Sequence, residues 1–214
     1  DMQTGYGFAI LRDGAKYSSA SSATETNSLR DFWIHFGKTG GHGHTDLMNI
    51  SVGAFGLNLT PDLGYPEMTS YTPSRVQWTS VTLSHNTVVV NEKSQDSAIG
   101  IVHGNPYHFD DSERVKLMDV DYSDAYKETE NYRRTIVSVQ ANDDVEYAID
   151  FFRVTGGNTH TYSFHSQAEN AYPVEGLSLI PDPVVQDEKG KDIVGSYAGP
   201  EVAYGQDPDT KPSN

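Results

Sequence analysis

A chain of 214 residues with 36% hydrophobic positions, 13 Tyr and 8 Phe has enough apolar area to bury one large domain or two small ones. Its formal net charge of −15, from 30 acidic and 15 basic residues, excludes a general surface for nucleic acid or anionic membrane, both of which require a basic patch. The absence of cysteine excludes disulfides and thiolate metal sites, and no apolar run approaches the ~20 residues that span a bilayer.

The 19 Gly and 10 Pro, with few Ala or Leu runs, favour turns and strands over helices. Asp1-Met2-Gln3-Thr4-Gly5 is not a signal peptide and leads straight into a strand, as expected of a mature or trimmed chain. Tyr6, Phe8 and Ile10 alternate with small or polar neighbours up to Asp13-Gly14, a hairpin signal, and Ala15 to Ala20 is the expected return strand. Ser21 to Ser28 is polar and turn-like. Phe32 to Phe36 forms an aromatic strand, after which Gly40-Gly41 would let a backbone or ligand approach closely.

Asn49 to Leu59 is the next expected strand, leading into Pro61-Asp62-Leu63-Gly64-Tyr65-Pro66. Residues 66–80 are irregular, with Tyr71, Arg75 and Trp78 as loop or cleft residues. The β-branched stretch Val81 to Asn91 reads as a central strand. Thr135 to Val139 and Val145 to Val154 form an expected pair around Asn142-Asp143-Asp144, and Thr161 to His165 follows Gly156-Gly157. The tail from Pro181 is rich in Pro, Gly, Asp and Lys, and residues 205–214 are expected to fray. No heptads, internal repeat or helix beyond about two turns emerges. The pattern therefore indicates an all-β fold, an antiparallel sandwich or barrel, with residues 1–214 as one domain.

The densest chemistry lies in His42, His44 and Asp46. On an extended strand these three project from one face, an arrangement suited to metal or acid–base work. Neutral imidazole and carboxylate suit zinc, which in catalytic sites takes three protein ligands and an open fourth position. His44, Asp62 and His85 would supply such a set from three segments, leaving His42 free to act on a substrate. Asp46 is the alternative ligand, or an acceptor that fixes an imidazole tautomer. A His-x-His pair is also common polar surface. His35, His103, His108 and His160 lack a clustered partner and read as structural, whereas His165 lies on an aromatic, half-buried strand. Arg12, Arg75, Arg133 and Arg134 would each suit a carboxylate, but an exposed Arg is the default. Arg133-Arg134 alternates faces, so at most one points inward.

The run His42-Gly43-His44-Thr45-Asp46, then Asn49-Ile50-Ser51-Val52, Ala54-Phe55-Gly56, Asp62-Leu63-Gly64-Tyr65 and His85-Asn86-Thr87-Val88-Val89-Val90, resembles the heparinase II/III-like polysaccharide lyases. The opening Gly5 to Arg12 looks like the start of their β-sandwich and Gly156 to His165 like its middle, so the resemblance runs from Gly5 to about residue 170. It implies an N-terminal α/α toroid followed by a large, supersandwich-like antiparallel β-sandwich, with the cleft between them. This chain would then be the sandwich without its toroid.

The resemblance further implies that His44, Asp62 and His85 hold zinc or another divalent cation and that His42 lines the active site. A catalytic tyrosine in the sandwich would be Tyr65 or Tyr71, and the spacing does not decide between them. The remaining catalytic groups belong to the toroid and have no counterpart here. The implied reaction is β-elimination on an acidic, uronic-acid-containing polysaccharide or oligosaccharide, glycosaminoglycan or alginate, in the periplasm or outside a bacterial cell. The domain alone would be inactive, with its own toroid as partner.

Two other functions fit parts of the pattern. A cupin-like metal oxygenase also uses His-x-His, but a glutamate normally follows within a few residues, where this chain has Leu47-Met48-Asn49-Ile50. A non-catalytic carbohydrate-binding sandwich would stack sugar rings on Trp33, Trp78 and exposed tyrosines.

Overall fold

Strand-forming runs separated by turn residues give a computed structural model that is nearly all antiparallel sheet. It describes residues 1–14, 29–37, 43–64, 78–96, 104–142 and 145–166, with 175–176 and 178. Two units divide the chain, Asp1–Asp62 with Val81–Ser166, and Leu63–Ser80 with Gln167–Asn214. The strands all belong to the first unit. In chain order they are β1 (Met2–Gln3), β2 (Phe8–Asp13), β3 (Arg30–His35), β4 (Asn49–Ala54), β5 (Leu57–Asn58), β6 (Val88–Val90), β7 (Asn105–Asp111), β8 (Val115–Asp121), β9 (Thr129–Gln140), β10 (Glu146–Gly156) and β11 (His160–Tyr162).

One sheet has the order β1-β2-β3-β4-β5, a second β10-β9-β8-β7, and β6 pairs with β11. Ala9, Leu11, Ile34 and Ile50 from the first sheet share one core with Met118, Val120, Tyr132 and Ile136 from the second and Val88 and Val90 from the pair. Two sheets sharing a dry core in this way make a β-sandwich. Each fully buried large aliphatic or aromatic side chain contributes about 1.5–3 kcal/mol. The period of two then dictates what faces away from the core. On β3, Ile34 is buried while Asp31, Trp33 and His35 take the opposite face. At the end of that strand the chain closes on the approach to β2: a Cβ on Gly7 would lie 2.0 Å from Gly37 Cα, so neither position has room for a side chain.

Several elements differ from the sequence expectation. Asn49 to Leu59 is a hairpin rather than one strand, because Phe55 (φ 57°) and Gly56 (φ 73°) both adopt the left-handed conformation of a two-residue turn, pairing Ala54 with Leu57. Val81 to Asn91 is strand only at Val88–Val90. Before it, Thr82–Ser84 forms a 3-10 turn, where Thr82 Oγ1 donates to Thr45 O and Ser84 Oγ to Val81 O, offering the backbone an alternative to a ladder. Strands β7 and β8 were not anticipated. Almost every residue of β7 is exposed, so it shows no alternation, although Met118, Val120 and Tyr122 do mark β8 and its end. Ala15 to Ala20, Ser21 to Ser28, Gly40-Gly41 and the 205–214 tail lie outside the described residues. No helix among the described residues is long and apolar enough to cross a membrane.

Candidate metal centre

Four side chains converge at one end of β4. The ligand atoms of His44, Asp46, Asp62 and His85 all lie within 4.8 Å of one another. His44 Nδ1 is 3.0 Å from His85 Nε2 and 3.7 Å from Asp62 Oδ1, and His85 Nε2 is 3.2 Å from Asp62 Oδ2. The side chains of His85 and His44 are 1% and 8% exposed, while Asp62 at 29% opens to solvent.

The segments differ from the strand geometry expected of them. Gly43 to Asp46 is irregular, and His85 follows the 3-10 turn in extended conformation rather than sitting on a strand. His44 and Asp46 nevertheless reach one cluster. His42, Tyr65 and Tyr71, the expected catalytic residues, lie outside the described residues, as do Arg75 and His103. His35 is not a lone structural histidine: its Nδ1 lies 3.4 Å from Asp46 Oδ2, which ties the outer face of β3 to the cluster. His160 and His165 instead place Nε2 2.7 Å from Gly156 O and 2.8 Å from Leu83 O.

His85 shows how the local fold sets ring chemistry. Its Nδ1 is 2.8 Å from the Val81 carbonyl, which can only accept, so Nδ1 carries the proton and Nε2 presents a lone pair to the cluster. Burial pulls the His85 pKa down, but the Asp62 hydrogen bond, the charges of Asp46 and Asp62 and the Val81 carbonyl outweigh it, and the net direction is up. Without a cation, the two carboxylates thus favour a positive charge at this spot.

The four side chains could together hold a metal ion. The two ring nitrogens lie 3.0 Å apart, and each faces a different oxygen of Asp62, at 3.2 Å from His85 and 3.7 Å from His44. Two buried imidazoles and a carboxylate are borderline-hard donors suited to a zinc-like divalent ion.

Behind the ligands lies a set of braces. Asn86 N donates to Asn49 Oδ1 and Asn86 Nδ2 to Ile50 O, which pins the His85 loop to β4. Thr87 Oγ1 donates to Leu47 O, and Gln95 grips Leu47 twice, accepting from its N–H at 2.9 Å and donating to its carbonyl at 2.7 Å. The His-Asn-Thr run therefore couples a cluster residue to two loop anchors. Arg134 is fully buried. Its Nη1 donates to both Met48 O and Asn86 O at 2.5 Å, and its other nitrogens pair with Asp150. It therefore clamps the His44 loop to the His85 loop. Of the Arg133-Arg134 pair this is the inward member. Gln95 carried no local signal, and for Arg134 the alternation of faces indicated only that at most one of the two arginines points inward; the backbone carbonyls that both hold lie on distant segments.

A family model described as "Heparinase II/III-like, C-terminal" matches residues 33–171. Among solved structures the chain is similar to a heparinase III gene product, with a TM-score of 0.63 and 16% identity over 81% of this chain and 25% of that one. A second heparinase III structure gives 0.55 and 15% over 75% and 23%. A heparan sulfate lyase HepC mutant from Pedobacter heparinus gives 0.54 and 17% over 72% and 21%. The likeness to these structures is one of fold, the antiparallel β-sandwich. The chain spans about a quarter of the length of these lyases. Comparison with curated proteins by sequence gives no match.

Proposed function

Because this chain belongs to the heparinase II/III-like C-terminal family, we propose that it is the β-sandwich domain of a polysaccharide lyase, cleaving a uronic-acid-containing polysaccharide by β-elimination together with an α/α toroid. The observation that carries this is the convergence of His44, Asp62 and His85 from three segments inside the family-matched region. These residues would hold zinc, with Asp46 orienting His35 or serving as a fourth donor. When bound, the ion supplies a cross-link between loops and a local positive field in an acidic protein.

The reaction itself needs no activated water. A base removes the C5 proton beside the uronate carboxyl group, the electron pair forms the C4=C5 bond, and the C4–O bond breaks as the leaving oxygen takes a proton. That carbon is weakly acidic, so negative charge building on the carboxylate must be neutralised by donors placed in advance. His42 is the base or the carboxylate partner in this proposal, and Tyr65 or Tyr71 the donor to the leaving oxygen, with the remaining groups supplied by the toroid. The domain alone is therefore inactive. A periplasmic or secreted location follows from the size of the substrate.

The test has two arms. Elemental analysis is expected to find about one zinc per wild-type chain, little in His44→Ala or His85→Ala, and full content in His42→Ala. Unchanged metal in both of the first two variants would overturn the ligand set. Joined to its toroid, the enzyme should release product absorbing as an unsaturated uronate, and His42→Ala should lower turnover by about 10²–10⁴-fold.

A further inference from the structure

The outer face of the first sheet carries a second constellation. Leu29, Asp31, Trp33, Gly53, Leu57 and Asn58 line an open cavity of about 350 Å³ at the β4–β5 hairpin, large enough for a sugar unit. Three features give it recognition chemistry. Phe8 on β2 packs against Trp33 with ring centroids 5.6 Å apart, backing the indole on one side while the cavity lies on the β4 side. The Asp31 carboxylate lies over Gly53, where an added Cβ would meet both its oxygens at 2.7 Å; the glycine therefore keeps the floor open. Asn58 spends its Oδ1 on Ser51 Oγ and Thr60 N, which leaves its amide N–H groups for a ligand, and the Asp31 carboxylate lines the cavity with the Arg12 charge acting on it from the neighbouring strand.

An aromatic face beside one acceptor and one donor is the chemistry that holds a sugar ring: C–H groups stack on the indole while hydroxyls exchange hydrogen bonds at the edge. We propose that this cavity is a subsite for a neutral pyranose, stacked on Trp33 and hydrogen-bonded through its hydroxyls to Asp31 and Asn58. The sugar must be neutral because a uronate or sulfate would face the Asp31 carboxylate inside a chain of net charge −15. Burial pushes the Asp31 pKa up, and the charge of Arg12 works against it. Asp31, Trp33 and His35 form one row on β3, spanning on the order of 13 Å, so the subsite lies along the same face as the His35–Asp46 contact. It uses none of the metal-centre residues and stands apart from the lyase proposal.

The chain has two tryptophans, so Trp78→Phe leaves Trp33 as the sole indole reporter. Its fluorescence would be titrated with neutral trisaccharides of glucose, N-acetylglucosamine, galactose and mannose, and with trimannuronate and trigalacturonate. Calorimetry on the unsubstituted chain provides the same measurement without any substitution. At least one neutral trisaccharide should bind saturably, and the acidic ones at least about tenfold more weakly. Asp31→Asn should shrink that discrimination to about threefold or less, and His44→Ala should leave neutral-sugar binding unchanged. Failure of every neutral sugar to bind, or discrimination that persists in Asp31→Asn, would overturn the proposal.

Discussion

Two adjacent arginines on β9 show how far position decides the worth of a side chain. Arg133 faces outward, paired through two nitrogens with Asp119 and lying 4.3 Å from the Tyr107 ring centroid. Arg134 faces inward and joins both ligand-bearing loops. Replacing Arg134 by Met would leave Met48 O without its donor and Asp150 without its cationic partner, although Ile50 N–H still reaches Asn86 O and Tyr162 Oη still donates to Asp150, at an expected cost of about 3 kcal/mol. Arg134→Lys keeps the charge but loses the fork and should recover less than half of that. Arg133→Met leaves the buried Asp119 carboxylate with only Thr135 and the more distant Arg153 and should cost about 1–2 kcal/mol, less than the loss of Arg134. Urea unfolding of the three variants, with unchanged m-values, checks the order.

At the scale of elements, the long β9–β10 ladder ends in an irregularity that redirects the chain. The register shifts between Thr155 and Gly156, and Gly156 holds φ at 97° with Glu128 O only 2.0 Å from where a Cβ would stand. Beyond this bulge, β11 pairs with β6, Ser163 N donates to Thr87 O and His165 N to Asn86 Oδ1. The bulge thus delivers the strand that secures the His-Asn-Thr segment. Gly156→Ala should destabilise by about 2 kcal/mol or more through strain and steric conflict. Its β11 amides should exchange hydrogen faster than in the parent, and unchanged protection there would separate the bulge from the docking of β11.

For the whole molecule, acid should first stabilise and then unfold the metal-free protein. Burial raises the Glu146 pKa, with Asp13 adding to the effect against Ser138, Arg30 and Lys116, and burial likewise raises that of Asp31. A raised carboxyl binds its proton more tightly when folded. Stability from these two is therefore present below the ordinary carboxyl range of about 4 and lost as pH rises through their folded values. Burial also works to raise Asp119, but Arg133, Thr135 and Arg153 outweigh it and its pKa is lowered. Its contribution is present above about 4 and disappears as pH falls through the depressed value. Relief of self-repulsion from the −15 charge acts in the same direction as the raised pair. Thermal unfolding with a chelator present should show its highest midpoint on the mildly acidic side of neutrality, and Asp119→Asn should flatten the acid limb.

Local pattern determined much of this protein. Frequent turn residues and β-branched or aromatic runs specify an all-β sandwich, and the imidazoles and carboxylates between His42 and His85 supply the candidate ligands, of which the fold brings His44, Asp46, Asp62 and His85 together. Period-two alternation also places only one of Arg133 and Arg134 inside. What tertiary structure alone decided is how those groups are held. The Val-rich stretch around His85 breaks into a 3-10 turn because hydroxyls capture its backbone, Phe55-Gly56 folds one apparent strand into two, and His35 finds Asp46. Arg134 and Gln95 act on carbonyls far along the chain, and the Trp33 cavity exists only where β3, β4 and β5 lie side by side. Such contacts leave no trace in neighbouring residues, since a backbone carbonyl is the same chemical group at every position. Only the register of the strands determines which of them a given side chain meets.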